Sequence, residues 1–375
     1  MKFYEVTSQI GGEDIWLRRI ADLYGEEPSL IWPRGKLPLI AGKTKFNNLL
    51  LKFSIMLDKL KPGIGRGLFL NFLFAFYKLD DELILLSTTY IPIPRGRRII
   101  SYIHTPSRSM TVDYFNMKNS FKKSSVRLFL PVLRLAYRIF YKFSLPHAKV
   151  LLVNSKNVQK RVLDFTGIRT EVCYPSQDTD SFHLSESENY FLLVSKIQPY
   201  KGHDFCLRAF KIFYEKNTDF RLIIVSVSPM ADDEKDFYYR LDRYAREHSL
   251  PVEFKFDLKR EEVIELYSRS YLCLFGSRNE DLGQVPIEAM ASSKPVISVL
   301  GAGPSETIEN NVTGFLVDTE EEMAEKMLLL AGNPLLAKDM GSKGRKRSIE
   351  VFDDLRFKEC LDKQLERISN RGQGI

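Results

Sequence analysis

The sequence predicts an α/β protein built from two doubly wound domains, and three observations carry that reading. Residues 190–299 alternate short runs of Ile, Val, Leu and Phe with amphipathic stretches, as parallel strands buried on both faces and covered by helices do. The 375 residues exceed what one hydrophobic core supports, since single cores rarely grow beyond about 250–300 residues. The charge is also uneven. Residues 1–180 hold 28 Lys/Arg and 15 Asp/Glu, a balance of +13, whereas 181–375 hold 27 and 33, a balance of −6. A basic half joined to a mildly acidic half suggests two domains, with an anionic partner at the first.

Element by element, KFYEVTSQ reads as a first strand and GGEDIWLRRIADLYG as a Gly-rich turn followed by a helix. ELILLS (82–87), RIISYIH (98–104) and AKVLLVNS (148–155) are further strands, interrupted by a basic amphipathic insertion at 111–145. The polar stretch 174–190 has no apolar period and marks the boundary, giving an N-terminal domain at 1–180 and a second at 181–345. In the second, YFLLVS, FRLIIVSV, VEFKF, YLCLFGS and PVISV are strands, with helices to about Lys216, near 232–248, over REEVIELYSRS and over 284–292. The tail 346–375 reads as one long amphipathic helix, expected to pack back on the N-terminal domain.

Composition excludes several classes. Hydrophobic residues at 44% and charged residues at 27% are ordinary globular values, unlike those of disordered, collagen-like or coiled-coil chains. Cys173, Cys206, Cys273 and Cys360 lie far apart, so free thiols in a reducing compartment are expected and a zinc site is not. The N-terminus has no apolar signal region. The most apolar run, LFLNFLFAFY, is ten residues, and spanning a bilayer takes roughly 17–25. A soluble or surface-bound protein is expected.

The densest chemical signal is GSRNEDLGQVPIEAMASSKPVISVLGAGPSETIENNVTGFLVD, residues 276–318. Pro is favoured in a helix's first turn, so a helix should open between Gly283 and Pro286. Glu280 then lies on the entry loop and Glu288 about one turn in. Amide groups at such a helix start bind phosphate. Carboxylates beside an anion site suit the hydroxyls of a sugar or ribose, although a solvated loop glutamate and a glutamate favouring the helix dipole would look alike. Upstream, Lys196 and Lys201 emerge at the carboxyl end of the YFLLV strand, just before a helix. Either alone could be a solvated surface lysine. Their coincidence with the acidic pair on one sheet edge points to a diphosphate.

This half resembles the C-terminal domain of family-4 retaining glycosyltransferases of GT-B fold, the glycosyl transferases group 1. The resemblance rests on Glu280 and Glu288 with seven residues between them, on Lys196 followed by Lys201-Gly202, on GAGPSETIENNVTGFLV, and on the linker PSQDTDSF. It implies a GT-B architecture, two Rossmann-like doubly wound domains facing across a cleft with a C-terminal helix. It further implies that Lys196 and Lys201 hold the donor diphosphate, Glu288 the nucleotide ribose and Glu280 the transferred sugar. The amides of Leu282, Gly283 and Gln284 would complete the cradle. Two departures stand out: Lys196 replaces the usual Arg, forfeiting bidentate phosphate contact, and Ala302 replaces one of the usual paired glycines.

In the first half, Gly11 and Gly12 match the family's Gly-rich loop facing the donor. His104, in YIHTPSR, resembles the histidine with which mannosyltransferase members contact the sugar, and Arg108 would meet a phosphate or the acceptor. Asp178-Thr-Asp180 reads as a turn rather than a metal motif. No metal and no cofactor is expected; a nucleotide-sugar donor, GDP-mannose on this resemblance, is the substrate.

The basic excess has its own location. Between Asp113 and Asp164 there is no acidic residue but there are 11 Lys/Arg, among them Lys118, Lys122, Lys123, Arg127 and Arg134. With interleaved aromatics, this suits an amphipathic helix on an anionic membrane surface. A core-facing helix with a solvated basic side is the plainer reading, and single-stranded nucleic acid a third, without a recognised module to support it. The resulting expectation is a hexosyltransferase, peripheral on the cytoplasmic face of a membrane, moving mannose to a lipid-linked or membrane-held glycan. The alternatives are a UDP-sugar transferase or sugar-nucleotide epimerase of the same fold, or a non-catalytic nucleic-acid or lipid-binding protein.

Overall fold

The computed structural model describes residues 2–6, 12–26, 29–30, 78–79, 84–88, 93, 95–96, 98–105, 124–226 and 232–371. The chain forms two compact units, one of Met1–Pro175 with Lys358–Ile375 and one of Ser176–Phe357. Each is built on a parallel sheet flanked by helices, the α/β class that the sequence predicts.

The first unit begins with β1 (Lys2–Val6), α1 (Gly12–Leu23) and β2 (Ser29–Leu30). There follow β3 (Lys78–Leu79), β4 (Ile84–Thr88), β5 (Arg95–Gly96), β6 (Ile99–Ile103), α2 (Ser124–Ser144), β7 (Val150–Val153), α3 (Lys156–Thr166) and β8 (Glu171–Val172). Six strands pair in the order β2-β1-β4-β6-β7-β8, all parallel, while β3 and β5 form a small separate pair. Because β6 is buried along its whole length, it carries apolar residues on both faces. Ile99 and Ile103 pack with Tyr141 of α2, with Leu145 just beyond that helix and with Val158 and Val162 of α3. Local chemistry fixes α3 at both ends. Ser155 Oγ accepts from the Val158 amide at 3.1 Å, and Gly167 closes the helix at φ 77°, where a side chain would be strained.

The second unit runs β9 (Tyr190–Val194), α4 (His203–Tyr214), β10 (Arg221–Ser226), α5 (Asp232–Glu247), β11 (Val252–Phe256), α6 (Arg260–Arg269) and β12 (Leu272–Phe275). It continues through α7 (Gln284–Ala291), β13 (Val296–Val299), α8 (Pro304–Thr307), β14 (Gly314–Val317), α9 (Glu320–Ala331) and α10 (Pro334–Arg347). Its sheet is also all-parallel, in the order β11-β10-β9-β12-β13-β14. Phe191 and Leu193 share a core with Leu222, Ile224, Leu272 and Leu274, closed by Phe210 and Phe213 of α4 and by Met323, Met327 and Leu330 of α9. Each fully buried large apolar side chain contributes about 1.5–3 kcal/mol relative to exposure. The chain winds outward from β9 through β10 to β11, then returns to the other side of β9 for β12, β13 and β14. The topological switch point therefore lies between β9 and β12, where open α/β sheets bind ligands beyond the strands' carboxyl ends.

The tail corrects one expectation. It is not one helix from 346: α10 ends at Arg347, a π-turn covers Ser348–Phe352, and α11 begins at Asp354 and runs to Arg371. Asp353 between them is extended, at φ −67° and ψ 156°. The linker holds it there. Gln177 donates its amide to the Phe352 carbonyl at 2.9 Å and bridges Asp353. The Thr179 hydroxyl bonds the Asp353 carboxylate at 2.5 Å, whose other oxygen caps the new helix by accepting from the Leu355 amide at 3.0 Å. Farther along α11, within the first unit, the Tyr24 hydroxyl donates to Asp362 at 2.7 Å, and Gln364 and Arg367 both bond Glu171, at 2.9 and 2.8 Å.

Candidate functional site

The residues singled out in the second half converge on the switch point of its sheet. Lys196 lies two positions beyond β9. The chain then makes a single 3-10 turn over Pro199–Lys201, and Gly202 at φ 71° turns it into α4. On the other side of the switch point, β12 ends at Phe275, and residues 276–283 form the loop into α7.

Two glycines let these loops touch. A Cβ on Gly202 would lie 2.1 Å from the Gly276 carbonyl oxygen, and a Cβ on Gly276 would lie 2.3 Å from that of Gly202. No side chain fits at either position. Two further glycines do the same for the next loop. A Cβ on Gly301 would meet the Arg278 carbonyl at 2.4 Å, and one on Gly303 the Glu280 carbonyl at 2.6 Å. Ala302, between them, is exposed, so the departure from paired glycines falls where a methyl group is tolerated.

This packing brings Lys201 and Glu280 together. Lys201 Nζ bonds Glu280 Oε1, and the two side chains are 22% and 18% exposed. Lys196 pairs with Glu234 at 3.0 Å, and this carboxylate, on α5, is 5% exposed and also accepts from Gln198. The helix α7 opens at Gln284 after Gly283, whose φ of 97° requires glycine, so Leu282, Gly283 and Gln284 sit at a helix N-terminus. Glu288, one turn in, receives the Tyr267 hydroxyl on one oxygen at 2.9 Å and Arg260 on the other at 2.8 Å. Arg260 also lies over the Phe182 ring, 5.1 Å from its centroid. A carboxylate has about four acceptor sites, so Glu288 keeps capacity for further hydroxyl donors. Burial, and then Glu288, hold the Tyr267 phenol neutral by pushing its pKa well above the usual value.

Sequence reasoning passed over Glu234, Arg260, Tyr267 and Gly276. The first three act from helices whose packing no short motif encodes. Gly276 was signalled only by following a buried strand. Among the histidines set aside, His203 is fully buried, shares a hydrogen bond with Ser195 Oγ at 3.0 Å and has its pKa pushed down to about 4 by burial. Asp178 forms the expected turn, accepting from the Ser181 amide at 3.1 Å.

In the first unit, His104 stands one residue beyond the buried strand β6, half-buried, with its ring edge-on to Tyr102 at 4.9 Å. Next to it, Thr105 accepts from Arg161 at 2.9 Å. Gly12 is the first residue of α1. Gly11, Arg108, Lys118, Lys122, Lys123 and the Arg127 side chain lie outside the described residues. Arg134, on α2, is half-buried.

At the switch point, then, the structure gathers Lys196, Lys201, Glu280, Glu288 and the start of α7. Residues 176–347 match the family model described as Glycosyl transferases group 1. The chain is 27% identical over 260 residues to the Xenopus laevis GDP-Man:Man(3)GlcNAc(2)-PP-Dol alpha-1,2-mannosyltransferase, covering 62% of this chain and 53% of that protein. It is 24% identical over 298 residues to the human alpha-1,3/1,6-mannosyltransferase, covering 73% and 69%. The chain thus spans little more than half the length of the Xenopus protein. Anabaena HepE, solved in complex with UDP, superposes over 98% of this chain and 100% of its own with a TM-score of 0.67 at 16% identity, which shows a shared fold.

Proposed function

We propose, for a chain whose residues 176–347 form a glycosyl transferases group 1 domain, that it transfers mannose from GDP-mannose to a lipid-linked or otherwise membrane-held glycan, with retention of configuration. The carrying observation is the Lys201–Glu280 pair at the switch point of the second sheet. The names of the Xenopus and human relatives, both mannosyltransferases, support the sugar, and the GDP-Man in the former supports the donor.

In this reading Lys196, Lys201 and the amides at Leu282, Gly283 and Gln284 bind the diphosphate, and no divalent metal is required. Glu288, held by Arg260 and Tyr267, takes the ribose. As the bond to the leaving phosphate lengthens, negative charge grows on the diphosphate and an oxocarbenium-like sugar forms. The lysines and the helix start meet that charge with fixed positive groups. Lys201 is pre-positioned because Glu280 already holds it. Glu280 in turn orients the sugar hydroxyls. The acceptor attacks on the leaving-group face and gives its proton to the departing phosphate, so no protein nucleophile is invoked.

We place the reaction on the cytoplasmic face of a membrane with anionic lipid. The four cysteines are free thiols, and no helix among the described residues is long and apolar enough to cross a membrane. The test is a donor screen with a polyprenyl-diphosphate-linked glycan. GDP release from GDP-mannose, dependent on acceptor, is expected. Release from UDP-sugars alone would overturn the mannose assignment, and interconversion of free sugar nucleotides would indicate an epimerase.

A further inference from the structure

The helix α2 has two apolar faces, and among the described residues one of them packs on the core while the other is exposed. At 100° per residue, Tyr137 and Tyr141 point the same way, toward the core they share with Ile99, Ile103 and Val158. Tyr141 is 2% exposed. Val132, Leu135, Ile139 and Phe143 lie on the opposite side and are 62%, 57%, 48% and 74% exposed. A surface helix ordinarily turns polar residues outward. Here the outward stripe is apolar over about three turns, and such stripes mark interaction surfaces. Arg138 and Lys142, both exposed, run along one flank of the stripe, one turn apart. No Asp or Glu occurs between Asp113 and Asp164, so the helix carries no carboxylate that would repel a phosphate.

We propose that α2 lies in the plane of an anionic lipid surface, with Val132, Leu135, Ile139 and Phe143 inserted among the acyl chains and Arg138 and Lys142 on headgroup phosphates. The inference rests on the reading that the acceptor is membrane-held, and it names the side chains that enter the lipid. Aliphatic side chains between cations fit lipid, whereas a nucleic-acid strand would call for stacking aromatics, of which this stripe has one. With 21 residues the helix is about 30 Å long, yet it is not apolar enough to cross a membrane. An in-plane position satisfies both faces: one on the core, one on the lipid.

Flotation of the full chain with phosphatidylcholine vesicles, with and without phosphatidylglycerol, tests this. The wild type should float with the phosphatidylglycerol vesicles. Leu135→Ser combined with Phe143→Ser should lower the bound fraction about tenfold or more while the melting temperature stays unchanged. Arg138→Gln with Lys142→Gln should remove the preference for phosphatidylglycerol. In Phe143→Trp, the added indole emission should shift to shorter wavelength on vesicle addition. A wild type that stays at the bottom, equal flotation of the serine variant, or no shift of the indole would overturn the proposal. So would a concentration-dependent dimer in sedimentation that the serine pair abolishes, since the stripe would then join two copies. Turnover of GDP-mannose with a short-chain soluble acceptor is read separately in the same variants. Vesicle binding without turnover would refute the proposed activity and leave the lipid surface standing.

Discussion

Lys201 and Glu280, 79 residues apart in sequence, form a direct ion pair across the switch point of the second sheet. Both side chains are about four-fifths buried, so solvent screens them less than an exposed pair. Exposed pairs contribute about 0.2–1 kcal/mol. The coupling between Lys201→Met and Glu280→Gln in a double-mutant cycle, measured by urea unfolding, should reach about 1–2 kcal/mol. Strict additivity of the two substitutions would show that the pair is incidental.

Glu288 is positioned by two neighbours, one on each oxygen. Arg260→Ala and Tyr267→Phe should raise KM for the donor while leaving kcat within about twofold, because ribose binding is shared by ground and transition states. Hydrogen bonds to charged groups contribute about 1.5–3 kcal/mol, so an increase of about tenfold is expected for Arg260→Ala. Steady-state kinetics against donor concentration decides it. A fall in kcat with KM unchanged would place these residues in the chemical step instead.

Gly202 carries both a positive φ of 71° and a backbone contact that excludes Cβ. Residues held in sparsely populated backbone regions cost about 1–3 kcal/mol, and the clash with Gly276 adds to it. Gly202→Ala should lose about 3 kcal/mol or more in urea unfolding. Gly301→Ala should be comparably costly, from contact with Arg278 alone. Near-native stability of both variants would mean that the loops do not meet as described.

His203 gives an acid limb with a definite sign. Its folded pKa is pushed down to about 4, below the ordinary 6.5, so the unfolded chain binds more protons between those values. Stability is fully present above about pH 6.5 and is lost as pH falls toward about 4, by up to roughly 3 kcal/mol. Unfolding of wild type and His203→Gln compared from about pH 7 to about pH 4.5 isolates the effect. The wild type should decline more steeply. Parallel curves would count against a neutral buried imidazole.

The second sheet was legible because its central strands are buried on both faces, so YFLLV, LIIV, LCLF and VISV are almost wholly apolar runs. The helix start at Gln284 followed from Gly283 and Pro286 through local backbone preference. The hold on Glu288 was not legible, since Arg260 and Tyr267 reach it only once α6 and α7 are packed. The break at Asp353 was hidden for a related reason. No Gly or Pro interrupts SIEVFDDLRF, and the helix is opened by contacts from Gln177 and Thr179 far back in the chain. For α2, periodicity could not tell which apolar face meets the core, because both sides of the helix are apolar.

The most direct measurement is acceptor-dependent GDP release from GDP-mannose by the wild type and by Lys201→Ala, with circular dichroism confirming that the variant is folded. Removing one preorganised charge-stabilising donor costs about 10²–10³ in rate. A folded Lys201→Ala protein whose turnover is at least about 100-fold lower is the predicted result. Wild-type turnover in that variant would contradict the assignment of the chemistry to the Lys201–Glu280 edge.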